Sequence, residues 1–192
     1  MDRSSNEMAR EQERQIELEM EQLVRQAKDG SARAFSMLYE SVYGDLYRFA
    51  FYTMKQQQDA EDAVSEAVIK AFENIGALKK AEAFKSWMFQ ILVNCCRTKL
   101  KDRSLQEAAQ GDGPELAEPD TGTPGADLGL SLREAFETLS DEERMIIALS
   151  VFGGYKSGEI GKQLQLPAAT VRSKLRRGLH KMREFLGEEE NG

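Results

Sequence analysis

The sequence predicts an all-α protein: two small helical domains joined by a flexible acidic linker. Three observations predict it. Apolar residues recur at steps of three and four along most of the chain, with no convincing period-two alternation for strands. Residues 104–132 contain no Lys or Arg, six carboxylates and eight glycines and prolines, a composition that stays extended rather than folding. Beyond that stretch the helical spacing restarts behind a capping signal. The 192 residues leave room for one medium domain or two small ones, at roughly 100–200 residues per domain.

The elements follow in order. A charged lead-in over about residues 1–20 runs into a helix with Ile16, Met20, Leu23 and Ala27 on one face. Lys28-Asp29-Gly30-Ser31 stops it, Gly30 as the C-terminal cap and Ser31 as the next start. A second helix carries Phe35, Leu38, Val42, Leu46, Phe49 and Ala50, with Tyr39, Tyr43 and Tyr47 beside that stripe. After a polar turn at Lys55–Gln58, a third helix opens at Asp59. It keeps Ala60, Val64, Ala67, Val68, Ala71, Phe72 and Ile75 on one face. A fourth runs from about Phe84 and buries Phe84, Trp87, Met88, Ile91, Leu92 and Cys95.

The second block restarts at Leu132. Ser140-Asp141-Glu142-Glu143 is a capping box, Ser140 as N-cap and Glu143 three places on. The helix behind it presents Ile146, Ile147, Leu149 and Phe152 and stops at Gly153-Gly154. A short helix over Ser157–Leu164, a turn at Gln165-Leu166-Pro167 and a longer helix from Ala168 to Leu186 outline a helix-turn-helix. Val171, Leu175, Leu179, Met182 and Leu186 form the inward seam of that last helix.

Composition narrows the function. Cys95 and Cys96 are adjacent, and neighbours rarely form a strain-free disulfide, so they read as small core residues. The single His180 and one side-by-side cysteine pair supply no spaced metal-ligand set, and no triad is available. No metal, cofactor or catalytic residue is expected, and the chain reads as a non-enzyme. No apolar run approaches the ~18–20 residues of a membrane span, and the polar start Met1-Asp2-Arg3-Ser4 lacks a secretory signal. A cytoplasmic protein with no membrane insertion is expected.

The net charge of −7 hides local asymmetry. From Tyr155 to Phe185 eight bases face two acids. Arg172, Lys174, Arg176, Arg177 and Lys181 lie opposite the apolar seam, where a helix in the major groove offers Arg and Lys to guanine edges and phosphates. Asn94, Arg97, Lys99, Lys101 and Arg103 form a second basic stretch, preceded by Phe84, Trp87 and Phe89. Bases near exposed aromatics suit single-stranded DNA, although periodicity alone reads Trp87 as core. On the third helix Asp59, Asp62, Glu66 and Glu73 share a face with Glu61 near it. The helix dipole accounts for the acids of the first turn; Glu66 and Glu73 lie beyond it and suit a basic protein partner.

Two stretches, taken together, resemble a known family. Asp59-Ala60-Glu61-Asp62-Ala63-Val64-Ser65-Glu66-Ala67, Phe84-Lys85-Ser86-Trp87-Met88-Phe89-Gln90-Ile91 and Asn94 resemble region 2 of bacterial RNA polymerase sigma factors. Leu139-Ser140 to Arg144, Glu159-Ile160-Gly161 and Leu166-Pro167-Ala168-Ala169-Thr170-Val171-Arg172-Ser173-Lys174-Leu175-Arg176-Arg177-Gly178 resemble region 4. The combination is that of the extracytoplasmic-function subgroup, which keeps only these two regions. The pattern departs at Ser65, where Gln is usual, at Ala63, usually bulky, at Thr98, commonly Asp, and at Ala169, commonly Gly.

The resemblance implies a charged extension at 1–20, region 2 at 21–103, the linker at 104–131, region 4 at 132–187 and an acidic tail at 188–192. It implies docking of Asp59, Glu61, Asp62 and Glu66 on the clamp helices of the largest subunit of core RNA polymerase. It assigns Trp87, Asn94, Arg97, Lys99, Lys101 and Arg103 to the −10 element of promoter DNA. The −35 element falls to Thr170, Arg172, Ser173, Lys174, Arg176, Arg177 and Lys181. The linker would thread the positively charged RNA path, and an anti-sigma factor, membrane-bound or soluble, would be a further partner. The rival reading is a stand-alone helix-turn-helix regulator with a sensing or dimerising N-terminal domain, which binds DNA without polymerase.

Overall fold

A computed structural model describes residues 3–54, 56–110 and 126–189. Those residues form eight helices: α1 Arg3–Lys28, α2 Ala32–Thr53, α3 Gln57–Glu73, α4 Phe84–Gln110, α5 Ala126–Glu137, α6 Asp141–Val151, α7 Ser157–Leu164 and α8 Ala168–Glu189. Single 3₁₀ turns at Ile75–Ala77 and Ala81–Ala83 connect α3 to α4. Among the described residues there is no strand, as the periodicity predicts.

The α1–α2 corner forms for the reasons its residues supply. Gly30 takes φ +93°, the left-handed conformation that ends a helix, and the Ser31 hydroxyl accepts from the Ala34 N–H at 3.2 Å. Lys28 Nζ donates to the Leu78 carbonyl at 2.6 Å and ties the end of α1 to the α3–α4 connection. Only the C-terminal part of α1 packs, through Val24 and Ala27; Met8, Ile16 and Leu18 face solvent.

The first core lies between α2, α3 and α4. Phe35, Leu38, Leu46 and Phe49 meet Phe84, Met88, Phe89 and Leu92. The contribution of α3 is small side chains, Ala60, Ala63, Ala67 and Ala71, which let its neighbours approach closely. Phe72 is 39% exposed, contrary to its expected place inside, because it sits at the border of the apolar face and touches Phe35 only edge-on, 5.2 Å between centroids. Cys95 and Cys96 are buried free thiols. Burial pushes both pKa values up, which removes thiolate reactivity.

The segment predicted to be extended from 104 to 131 is narrower. Ser104–Gln110 continue α4, since Leu, Gln, Glu and Ala are good helix formers and need no positive charge. At the other end α5 starts at Ala126 and carries Gly129 inside it. Asp112, Glu115, Glu118 and Asp120 lie outside the described residues.

In the second unit the Ser140–Glu143 capping box forms as predicted. Gln165 at φ +60° and the backbone N–H of Leu166 close the turn after α7 onto the Gly161 carbonyl. Gly161 is required there: a Cβ would lie 2.5 Å from the Leu166 carbonyl oxygen, a backbone atom that cannot swing aside. Gly161→Ala should therefore cost about 1–3 kcal/mol, measured as a lower urea midpoint with the native far-ultraviolet spectrum retained. The seam of α8 is shorter than predicted. Val171 and Met182 are buried, Leu175 and Leu186 are half-buried, and Leu179 is 47% exposed because a four-four-three-four stripe drifts off the contact line.

The two units pack on each other through α6. Seven consecutive residues, Glu143–Leu149, are buried, which no single contact face of a helix can achieve. One side meets α8 and the other meets α2 of the first unit. Tyr52 sits between Phe136 and Phe152, with centroids at 4.9 and 5.2 Å and the second pair nearly parallel at 13°. Phe89 meets Tyr155 edge-on at 5.5 Å, and the Arg133 guanidinium lies 5.1 Å from the Phe51 centroid. Arg144, 3% exposed, donates Nε–H to the Thr53 carbonyl and Nη1–H to the Leu139 carbonyl, both at 3.2 Å, and pairs with Asp141. Thr53 is the last residue of α2, where carbonyls lack helical partners and the dipole is negative. A cation of one unit thus caps a helix of the other.

Candidate nucleic-acid interface

The helix-turn-helix presents α8 with its basic edge outward. Arg172, Ser173, Arg176 and Arg177 are exposed on it, and Thr170 is half-buried at its start. The Ser173 hydroxyl donates back to the Thr170 carbonyl at 3.1 Å, a local bond that leaves its lone pairs available to a ligand. Lys174 and Lys181 differ from their neighbours. Lys174 pairs with Glu142 and Lys181 with Glu143 at 2.9 Å, so two of the predicted cations are held by α6. Capping fully accounts for Glu142 and Glu143 in the sequence, and nothing there marks them as partners of α8.

Glu143 has an unusual carboxyl. Burial raises its pKa, but hydrogen bonds from Lys181 and from the Ser140 N–H and hydroxyl outweigh that and hold it below the ordinary range. A depressed carboxyl contributes stability above its unfolded value of about 4.3 and loses it as pH falls through the lower folded value. Thermal stability should therefore fall off below about pH 4, and Glu143→Gln should flatten that decline in a series of melting curves.

The second basic stretch lies on α4. Asn94, Arg97 and Lys101 are exposed and face outward. Lys99 and Arg103 turn the other way: Lys99 stands 3.8 Å from Asp62, and Arg103 stands 3.4 Å from Asp59. The acidic face of α3 and part of the basic face of α4, separate in the sequence reading, are thus joined along one seam. Glu66 pairs with Lys70 on its own helix, and Glu61 accepts from Gln57 at 2.9 Å; Asp62 and Glu61 remain open to a partner. Of the aromatics before this stretch, Phe84 and Phe89 are fully inside the core and cannot stack on bases. Trp87 is half-buried, 6.2 Å from the Phe84 ring.

Among the described residues, no group of three or more His, Cys, Asp or Glu is placed to hold a metal ion, and no helix is long and apolar enough to cross a membrane. His180 is exposed beside Glu184 at 3.7 Å.

Comparisons with known proteins bear on this arrangement. Residues 38–106 match the family described as sigma-70 region 2, and residues 129–182 match that described as sigma-70, region 4. The ECF RNA polymerase sigma factor SigW of Bacillus subtilis is 24% identical over 184 residues, 89% of this chain and 98% of its own length. The ECF RNA polymerase sigma factor SigM of Mycobacterium tuberculosis is 25% identical over 159 residues, 82% of this chain and 80% of its own. Among solved structures, the sigma factor RpoE, crystallised with the anti-sigma factor NepR from Bartonella quintana, superposes with a TM-score of 0.72. It is 21% identical, over 81% of this chain and 98% of that one.

Proposed function

Since this chain belongs to the sigma-70 family, in its extracytoplasmic-function branch, we propose that it binds core RNA polymerase, directs it to specific promoters and helps open the −10 element. The observation that supports this most is two separate nucleic-acid faces in one chain: Arg172, Arg176 and Arg177 on α8, and Asn94, Arg97 and Lys101 on α4. A major-groove helix suits the −35 duplex. An outward basic edge beside a half-buried Trp87 suits the strand exposed when the −10 element opens, where each extruded base costs a few kcal/mol.

In this reading residues 21–103 form the unit for polymerase and the −10 element, and residues 132–187 form the unit for the −35 element. Thr170, Ser173, Lys174 and Lys181 complete the −35 face; Trp87, Lys99 and Arg103 complete the −10 face. Lys99, Arg103, Lys174 and Lys181 reach DNA by leaving their present carboxylates. The work takes place in the cytoplasm, with chemistry supplied by the polymerase and none by this chain. RpoE and CnrH are both seen with an anti-sigma partner, and we assign a partner of that kind here. The acidic segment between the units would occupy the polymerase RNA path by its like charge to RNA.

Transcription from a promoter library, with purified core polymerase and with or without this protein, tests the reading. Promoter-specific transcripts should require both components. Specific DNA binding by the chain alone, with no effect on polymerase, would instead favour a stand-alone regulator.

The polymerase face has its own test. Asp62→Lys with Glu66→Lys should weaken core binding tenfold or more, about 1.4 kcal/mol or above, in a fluorescence titration. The ion pairs lost with Lys99 and Lys70 are exposed and worth about 0–1 kcal/mol each, so the variant should stay folded. Unchanged affinity would remove these acids from the docking surface.

A further inference from the structure

The start of α6 touches both nucleic-acid faces at once. Glu142 pairs with Lys174 of α8, and Glu143 accepts from Lys181 at 2.9 Å. Asp141 and Glu142 also line a cleft of about 620 Å³ whose opposite wall carries Asn94, Arg97 and Lys101 of α4. Carboxylates therefore stand at the positions where phosphates would meet either face. This is a built arrangement and not a chance approach of loops. The buried Arg144 guanidinium donates across the seam to the end of α2, and Tyr52 is held between two rings of the second unit. Helix α6 is buried on every side, a pattern that only a second covering surface explains.

We propose that the N-terminal carboxylates of α6 act as an intramolecular stand-in for DNA phosphates, so that the free chain is closed to nucleic acid until its two units separate. The proposal rests on the reading of Arg97 and Lys101 as part of the −10 face. Separation exposes Arg97 and Lys101 to solvent and removes the opposing carboxylates from their surroundings. It also explains how an acidic chain keeps its basic faces from engaging DNA indiscriminately, since non-specific binding is set by the cations free to neutralise phosphates.

The test uses the full chain without polymerase and a fluorescein-labelled dT oligonucleotide of about twelve nucleotides as the single-stranded probe. Asp141→Asn with Glu142→Gln removes the carboxylates. Tyr52→Ala leaves them in place and loosens the seam. Glu17→Gln with Glu21→Gln makes the same change of charge on the exposed part of α1, far from the cleft in sequence. At low salt, affinity for the probe should rise about fivefold or more in the first two variants and less than about twofold in the third. Adding Arg97→Ala and Lys101→Ala to the first variant should abolish the gain. A first or second variant no tighter than the α1 control overturns the proposal. A gain that survives loss of Arg97 and Lys101 overturns it through the −10 reading, since the uncovered face then lies elsewhere. Arg97→Ala with Lys101→Ala in the holoenzyme, assayed for opening of the −10 element, separates failure of that reading from failure of the closure.

Discussion

Arg172→Ala with Arg176→Ala should remove use of the −35 element while core binding stays intact. Both side chains are exposed on α8, and neither is engaged by the α6 carboxylates that hold Lys174 and Lys181. A bidentate contact to a base is worth about 1–3 kcal/mol, so each substitution should lower promoter use by about five- to 150-fold. Lys174→Ala should cost less, because part of what it loses is an internal pair with Glu142. Salt dependence separates the roles. A cation that reads a base changes the preference among sequences, whereas one that meets a phosphate lowers affinity for all sequences and flattens the salt slope. Transcription and footprints matching wild type in the double variant would exclude α8 as the reader.

Arg144→Leu should have the largest effect on stability. It leaves the Thr53 and Leu139 carbonyls without their donor in a buried seam. An unsatisfied buried polar group costs about 1–3 kcal/mol, and water admitted at the loosened seam recovers part, so the net loss should be roughly 2–4 kcal/mol. Asp141, released from its pair, is nearly half exposed and adds little. The shape of unfolding should change as well. With the seam intact the two units unfold together; without it each should melt by itself, giving two transitions in urea followed by tryptophan fluorescence and by far-ultraviolet dichroism. Trp87, the single tryptophan, reports on the first unit alone. Coincident transitions with an unchanged midpoint would show that Arg144 carries no coupling.

How far the sequence was legible follows from the range of the interactions involved. Local signals read well. Gly30 and Ser31 end one helix and begin the next, Ser140 and Glu143 form their box, and α7 spans Ser157–Leu164 as the flanking Gly154 and Pro167 suggest. Signals read by composition alone did less well. The absence of Lys and Arg after 103 describes charge and not backbone, and α4 runs through it to Gln110. Stripes drawn by step counting place Phe72 and Leu179 inside when the contact line has already passed them.

Pairing between distant positions was the least legible. Asp59 with Arg103, Asp62 with Lys99, and Arg144 with Thr53 join residues on different helices, and no spacing rule connects them. The candidate site was therefore legible as an inventory of charges and not as a circuit. The sequence names the cations; only the fold shows that Lys99, Arg103, Lys174 and Lys181 already have carboxylates. The one clue to the seam lay in Met145-Ile146-Ile147-Ala148-Leu149, an apolar run too continuous for a helix with a solvent side.

That run carries a colloidal consequence. When the units part, the side of α6 that faced α2 becomes wet, together with the rings of Tyr52, Phe136 and Phe152. Exposed apolar surface of this kind is where soluble proteins adhere to one another. The open chain is therefore the aggregation-prone species, and its loss should scale with the square of its concentration, visible as light scattering that grows faster than dilution predicts. Any surface that covers this strip, whether the first unit, a polymerase or an inhibitor, also acts to keep the protein in solution.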